Sequence, residues 1–311
     1  MDAQDHRYGD ITRFTSETLK TEEKLDFSWP SFCYPKLARC PFDVKDLAFE
    51  ACLGKGVDGM VFKAQHEDKT VVLKIFFHNE QPKVYDYWPF ERECMTAALL
   101  EKIAVRVRES RETKQPLHVY PSPTTHSQAL YNLQAFSSNT GPLSENVVPW
   151  ILRDDQEINI NPCYGWLPIR ADDLRNVMDW CKRPELDDFD LAGSYCIAYN
   201  YVGHGGGEAL DAEKIAWHQH FFHLAGFFVA GFKHDNWRGD STLIDMGDLV
   251  SPANGPGWPY HIYRTSSFLV VTTIARPYNT DSFCLSCLFS LSTPLIFEYD
   301  VFCEEDGLPL D

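Results

Sequence analysis

Basic residues are scarce in this chain. Its 311 residues carry 28 lysines and arginines against 45 aspartates and glutamates, a formal net charge of −17, and no lysine follows Lys233. Binding a nucleic-acid backbone rests on neutralising phosphates with clustered Lys and Arg, so direct nucleic-acid binding is not expected. Long apolar runs are missing as well. The best candidate, 283–297, is interrupted by serines, Thr293 and Pro294, so no membrane association is expected. There is no Gly-Lys-Ser or Gly-Lys-Thr, which excludes the G-x-x-x-x-G-K-[ST] phosphate loop. Ten cysteines lie scattered without a framework, and Cys284-x-x-Cys287 has no second pair at zinc spacing. The first residues lack the basic and apolar regions of a signal peptide. Together these features predict a reducing intracellular setting, cytoplasmic or nuclear.

What the chain does have is concentrated in residues 53–77. Gly54, Gly56 and Gly59 form a G-x-G-x-x-G set. A dinucleotide-binding turn would open a helix at this point, with an acidic residue about 20 positions on. Here Met60-Val61-Phe62 leads through a polar break into Val71-Val72-Leu73-Lys74, which reads as strand, turn, strand. Glycines let backbone N–H groups approach phosphates with no side chain between, and a lysine on the neighbouring strand supplies a positive charge. The competing reading is an ordinary hairpin whose Lys74 points outward.

Pro89 suits a first helical turn, and Phe90, Cys94, Ala97, Leu100 and Ala104 recur at steps of three and four, which predicts a helix and its buried face. Glu93 lies within that stripe, whereas Glu91 falls roughly 120° away. A carboxylate on a core-facing stripe needs a partner, and Lys74 is the candidate; the alternative is a half-exposed Glu93 reaching water. From about 104 to 160 the periodicity fades and prolines multiply, which predicts a long insertion with a mobile middle. Strand-type runs follow at 163–169 and 195–202. Asp211 is placed to cap a helix whose stripe is Trp217, Phe221, Leu224 and Phe228. His218, His220 and His223 on that helix do not converge, so they read as surface or packing residues rather than metal ligands.

The second constellation is Lys233-His-Asp-Asn-Trp-Arg-Gly, followed by Leu243-Ile-Asp-Met-Gly-Asp. Read against H-R-D-L-x-x-x-N and D-F-G, Asn236 takes the asparagine and Asp245-Met246-Gly247 the metal-binding triplet, with a hairpin turned at 238–240 between them. Oxygen donors flanking such a hairpin suit a hard cation such as Mg²⁺. The aspartate of the motif is replaced by Gly231, and an absent general base costs about 10²–10⁴-fold in rate. Asp235 is the candidate substitute base.

On the glycine set with Val61, Val72-Leu-Lys-Ile-Phe, Phe90-Glu-Arg-Glu-Cys and this second constellation, residues 46–252 resemble the protein-kinase superfamily, and more closely a group of fungal kinase-like proteins, some of them kinetochore subunits. The resemblance implies an α+β, two-lobed fold: a small antiparallel-sheet lobe over 46–202 carrying the insertion, and a mainly helical, shortened C-terminal lobe over 203–265. Residues 1–45 would be an extended N-terminal segment, and 266–311 a divergent tail, poorly soluble or protease-sensitive beyond about Pro259. It further implies ATP between the lobes under Gly54, Gly56, Gly59 and Val61, with Ala198, Tyr199 and Tyr201 near the adenine, Lys74 and Glu93 as the phosphate-positioning pair, and Mg²⁺ on Asn236 and Asp245. Three functions stay open: a pseudokinase binding ATP and Mg²⁺ with weak or no phosphotransfer; a non-catalytic assembly module whose acidic surface and 104–160 insertion contact protein partners; and an active phosphotransferase using Asp235.

Overall fold

The computed structural model describes residues 10–83, 87–139, 145–152, 156–181, 193–203, 210–229, 234–253, 258, 259 and 263. The chain begins with β1 (Thr15–Leu19), the short helix α1 (Trp29–Cys33) and β2 (Leu37–Arg39). Next come β3 (Ala48–Lys55), β4 (Gly59–His66), β5 (Lys69–Phe76) and the long helix α2 (Pro89–Thr113). Strand β6 (Leu117–Val119), helix α3 (His126–Gln134) and β7 (Val148–Trp150) follow, then β8 (Cys163–Arg170), α4 (Ala171–Cys181) and β9 (Gly193–Asn200).

Seven strands form one mixed sheet in the order β1-β2-β8-β9-β5-β4-β3. The β3-β4-β5-β9-β8 part is antiparallel, while β1–β2 and β2–β8 run parallel. The fold is therefore α+β with a mixed sheet, larger than the small antiparallel one expected. The described residues of the N-terminal segment pack on the domain: β1 and β2 lengthen the sheet, and Phe14, Phe32 and Leu37 are fully buried.

Strand alternation sends side chains to opposite faces, and the sheet separates two cores. One face, with Phe76, Tyr199, Ile197 and Trp166, packs against α2 through Phe90, Cys94, Ala97 and Leu100. The other, with Leu73, Ile75, Cys196 and Ala198, is covered by Leu174 and Val177 of α4 and by Phe42 and Val44. The expected α2 stripe holds as far as Leu100, but Ala104 is exposed and Ile103 and Val107 take the buried positions. Helix α2 runs to Thr113 and ends on Lys114 in the left-handed conformation, φ 56°.

The described residues of the segment expected to have a mobile middle include regular elements. Strands β6 and β7 pair antiparallel. Helix α3 opens on a capping box in which Thr125 accepts from the Gln128 N–H and Gln128 accepts from the Thr125 N–H. Asn132, fully buried, accepts from the Tyr120 N–H at 2.6 Å and donates to the carbonyls of Tyr120 and Leu224, which locks the segment to the helix that follows β9.

That helix, α5 (Ala212–Leu224), is capped by Asp211, whose carboxylate accepts from the N–H groups of Glu213 and Lys214. Beyond it lie β10 (Phe228–Val229), β11 (Trp237–Arg238), β12 (Thr242–Leu243) and β13 (Leu249–Val250). Strand β10 pairs with β13, and β11 pairs with β12 across the turn expected at 238–240. Among the described residues after 203, α5 and the helical residue Tyr263, whose N–H donates to the Pro259 carbonyl, stand beside four two-residue strands. The tail expectation for 266–311 lies outside the described residues.

Candidate functional site

Register assembles the site. Reading across the sheet, Gly54 pairs with Val61, Val61 with Lys74, Lys74 with Ile197, and Ile197 with Trp166. Residues paired directly across strands share a face, so Val61 and Lys74 lie on the α2 face, beside the glycine turn. The three glycines are glycine for different reasons. A Cβ on Gly59 would stand 2.1 Å from the carbonyl oxygen of Ile75, so close strand packing alone requires glycine there. A Cβ on Gly54 would meet nothing within 4 Å, and on Gly56 only the Gly59 carbonyl at 3.8 Å. No neighbour in the protein forbids a side chain at either position. The turn closes with the Gly56 N–H donating to the Gly59 carbonyl at 2.9 Å.

Lys74 Nζ lies 2.5 Å from Glu93 Oε2 and 3.2 Å from Asp245 Oδ1. Glu93 is 1 % exposed, and its other oxygen accepts from the Tyr199 hydroxyl at 2.8 Å. The helical wheel thus separated Glu93 from Glu91, which is half-buried and lies 3.5 Å from Arg13. Burial raises the Glu93 carboxyl, and Lys74 pulls against that rise. Burial alone would lower the Lys74 ammonium, but Glu93 and Asp245 outweigh it and hold the lysine protonated. Gly247 completes the packing. A Cβ there would come within 3.3 Å of Asp245 Oδ1 and 3.4 Å of Glu93 Oε2, so any side chain would press on the cluster.

The residues expected near an adenine separate. Tyr199 lies within β9, 2 % exposed, with its phenol on Glu93, so its side chain backs the ion pair. Ala198 is fully buried in the core on the opposite face, away from Lys74. Tyr201, just past β9, is half-buried; its N–H donates to the Thr70 carbonyl at 3.3 Å and Lys63 Nζ sits 5.0 Å from its ring centroid. The chain exit at Val202–Gly203 meets the β11–β12 turn, where a Cβ on Gly239 (φ +52°) would be 3.0 Å from Val202 Cγ1.

Asn236 is buried, and its side-chain NH₂ donates to Asp248 Oδ2 at 2.6 Å, while its backbone carbonyl accepts from the Ile244 N–H. Asp245 accepts from Lys74 and from the Gly247 N–H. The two expected metal ligands therefore hold separate protein partners, and Asp248 is a carboxylate the motif comparison had not assigned a role. Among the described residues, no group of three or more His, Cys, Asp and Glu side chains is placed to hold a metal. Asp235 is exposed. Gly231 and Lys233 lie outside the described residues. No family model matches the chain, and neither does any curated protein. Among the described residues, no helix is long and apolar enough to cross a membrane.

The histidines of α5 are packing residues in two cases. His218 and His223 are buried, with His218 stacked on Trp237 at 5.5 Å and His223 on Tyr263 at 4.3 Å, whereas His220 is exposed. Burial pushes both buried imidazoles from the ordinary 6.5 down to about 4. Between those values the unfolded chain binds more protons than the folded one. The stability from keeping these rings neutral is thus complete above pH 6.5 and lost as pH falls towards 4. At pH 5 each ring costs about 2 kcal/mol relative to neutral pH. Urea midpoints should fall between pH 7.5 and 5, and the fall should be smaller in His218→Gln; an equal fall in that variant would assign the acid lability to carboxylates instead.

Proposed function

We propose that this chain is a two-lobed, protein-kinase-like nucleotide-binding protein, which holds ATP with Mg²⁺ and transfers phosphate weakly or not at all. The observation that carries the reading is the Lys74–Glu93–Asp245 cluster beside the glycine turn, in which a strand lysine, a helix glutamate and the aspartate of Asp-Met-Gly converge. The two glycines with no steric reason to be glycine support it, since they leave open the space that a phosphate chain would fill.

In this reading Gly54, Gly56 and Val61 cover the nucleotide, Lys74 meets its phosphates, and Asp245 with the Asn236 side-chain oxygen holds the cation. Bound Mg-ATP would supply the phosphoryl group and the charge neutralisation that accompanies its transfer. Glu93 orients Lys74, and Tyr199 orients Glu93. With glycine at position 231, no side chain at the motif's usual place takes a proton from an acceptor, and Asp235 is the nearest carboxylate in sequence.

A second reading has one observation in its favour: the cluster is closed on itself, with Lys74, Glu93 and Tyr199 all satisfied by protein groups. A relic cleft in an assembly module would look the same. Its acidic surface and the segment 104–160 would then meet a basic protein partner. Thermal unfolding with Mg-ATP separates the two. At about 100 times its Kd the ligand should add about 2.7 kcal/mol, and Gly54→Val, which has room for its side chain in the protein itself, should remove the gain without lowering stability by more than about 1 kcal/mol. No gain in the wild type at millimolar Mg-ATP would favour the assembly module.

A further inference from the structure

The aspartate that follows Asp-Met-Gly lies outside both motifs, yet its side chain joins them. Asp248 Oδ2 accepts from the side-chain NH₂ of Asn236 at 2.6 Å. Backbone bonds hold the chain on either side of this contact. Asn236 closes a single 3₁₀ turn (His234–Asn236) just before β11, and its backbone carbonyl accepts from the Ile244 N–H at 2.9 Å. Opposite it, the Gly247 N–H donates to Asp245 Oδ1 at 3.1 Å, the Leu249 N–H donates to the carbonyl of buried Met246 at 3.2 Å, and Leu249 pairs with Val229 in the β10–β13 ladder. The freedom left to Asn236 is the rotation of its side chain. Asp248 governs that rotation.

A carboxylate at neutral pH accepts hydrogen bonds and donates none, whereas an amide has one donating end and one accepting end. Asp248 therefore takes hold of the NH₂ and leaves Oδ1 turned away from itself. Among the described residues, no group donates to that oxygen. A hard cation takes oxygen ligands, and an amide NH₂ offers it none. Resting on the Mg-ATP reading above, we propose that Asp248 is a positioning residue, which turns the Asn236 amide so that its oxygen, and not its nitrogen, meets the cation. Donation from the NH₂ to a carboxylate also polarises the amide and strengthens its oxygen as a ligand.

The test is the ratio of ATP affinity with Mg²⁺ to ATP affinity in EDTA, measured by calorimetry on the full chain. The variants are Asp248→Ala and the exchange Asn236→Asp/Asp248→Asn. A bond that merely stiffened the fold would move both affinities alike and leave the ratio unchanged. With the positioning role, the ratio should fall about tenfold in Asp248→Ala, the low end for losing a partner that orients a metal ligand. The exchange keeps one carboxylate against one amide and again leaves an oxygen for the cation, so its ratio should return to the wild-type value or above. An unchanged ratio in Asp248→Ala overturns the role of Asp248. So does an exchange variant whose ratio stays well below that of the wild type, and this arm decides alone if Asp248→Ala does not fold. Failure of the wild type to bind ATP, or equal binding with and without Mg²⁺, overturns instead the cation reading beneath the proposal.

Discussion

Replacing Lys74 with alanine lowers the unfolding free energy by about 3–5 kcal/mol in protein that holds no ligand, the range for stranding one partner of a buried ion pair. Glu93 is nearly inaccessible, and the substitution leaves it the Tyr199 hydroxyl as its remaining strong donor among the bonds described here. Lys74→Met/Glu93→Gln should recover most of the loss, since the glutamine still accepts from Tyr199, no charge remains at the buried position 93, and Asp245, which also loses Lys74, is partly exposed to water. The cost in Lys74→Ala should also be smaller at pH 5.5 than at pH 8, because a carboxyl already raised by burial then takes up a proton instead of remaining a lone anion. Urea titrations at the two pH values read all of this. A cost below about 1 kcal/mol at pH 8 would mean that Glu93 finds water by a small shift of α2.

Gly165→Ala should cost a similar amount, about 3–5 kcal/mol, from left-handed backbone strain added to overpacking. Gly165 has φ +118°, and a Cβ there would lie 2.5 Å from the Ala38 carbonyl oxygen, 2.7 Å from the Cys40 nitrogen and 2.9 Å from the Arg39 carbonyl carbon. All three obstacles are backbone, so no side chain can swing aside. The residue sits where the β8–β9 register shifts, beside the docking of β2, where the Cys40 N–H donates to the Trp166 carbonyl at 2.8 Å. Relief would come by pushing β2 off β8. The tryptophan indole, whose N–H donates to the Ser16 carbonyl, would then report the loss as altered fluorescence before the rest of the sheet unfolds. A stability change within about 0.5 kcal/mol, as at an ordinary surface site, would show that β2 yields freely.

The sequence carried the local parts of this structure. The β4–β5 hairpin, the choice of Glu93 over Glu91, the Asp211 cap and the hairpin around Gly239 all follow from spacings within a few turns of chain. The rest depends on partners far away. Strand β2 is three residues long and has no period to read, so its parallel place beside β8 is invisible until β8 is in position. The kinase resemblance puts Tyr199 near an adenine, and the run 195–202, apolar almost throughout, offers nothing against it. A strand buried on both sides shows no alternation, and which residue faces Lys74 follows only from the β5–β9 register. Helix α4 was not anticipated either, although Asp172 and Asp173 in its first turn and Leu174 and Val177 at helical spacing were the signal. The regular elements within 117–139 escape a reading of periodicity because the capping box is short and their main anchor is Asn132, a polar residue with no hydrophobic period.

The parallel attachment of β2 has a consequence during synthesis. Arg39 pairs with Trp166, roughly 130 residues later in the chain, and at about 5–20 residues per second a ribosome needs roughly 6–25 s to make that stretch. Through that interval Phe14, Phe32 and Leu37, fully buried once folded, have no completed sheet to pack on. The nascent chain therefore presents an apolar N-terminal stretch to chaperones for longer than the β3–β5 meander needs to close, and its folding yield should depend on elongation rate more than its final stability does.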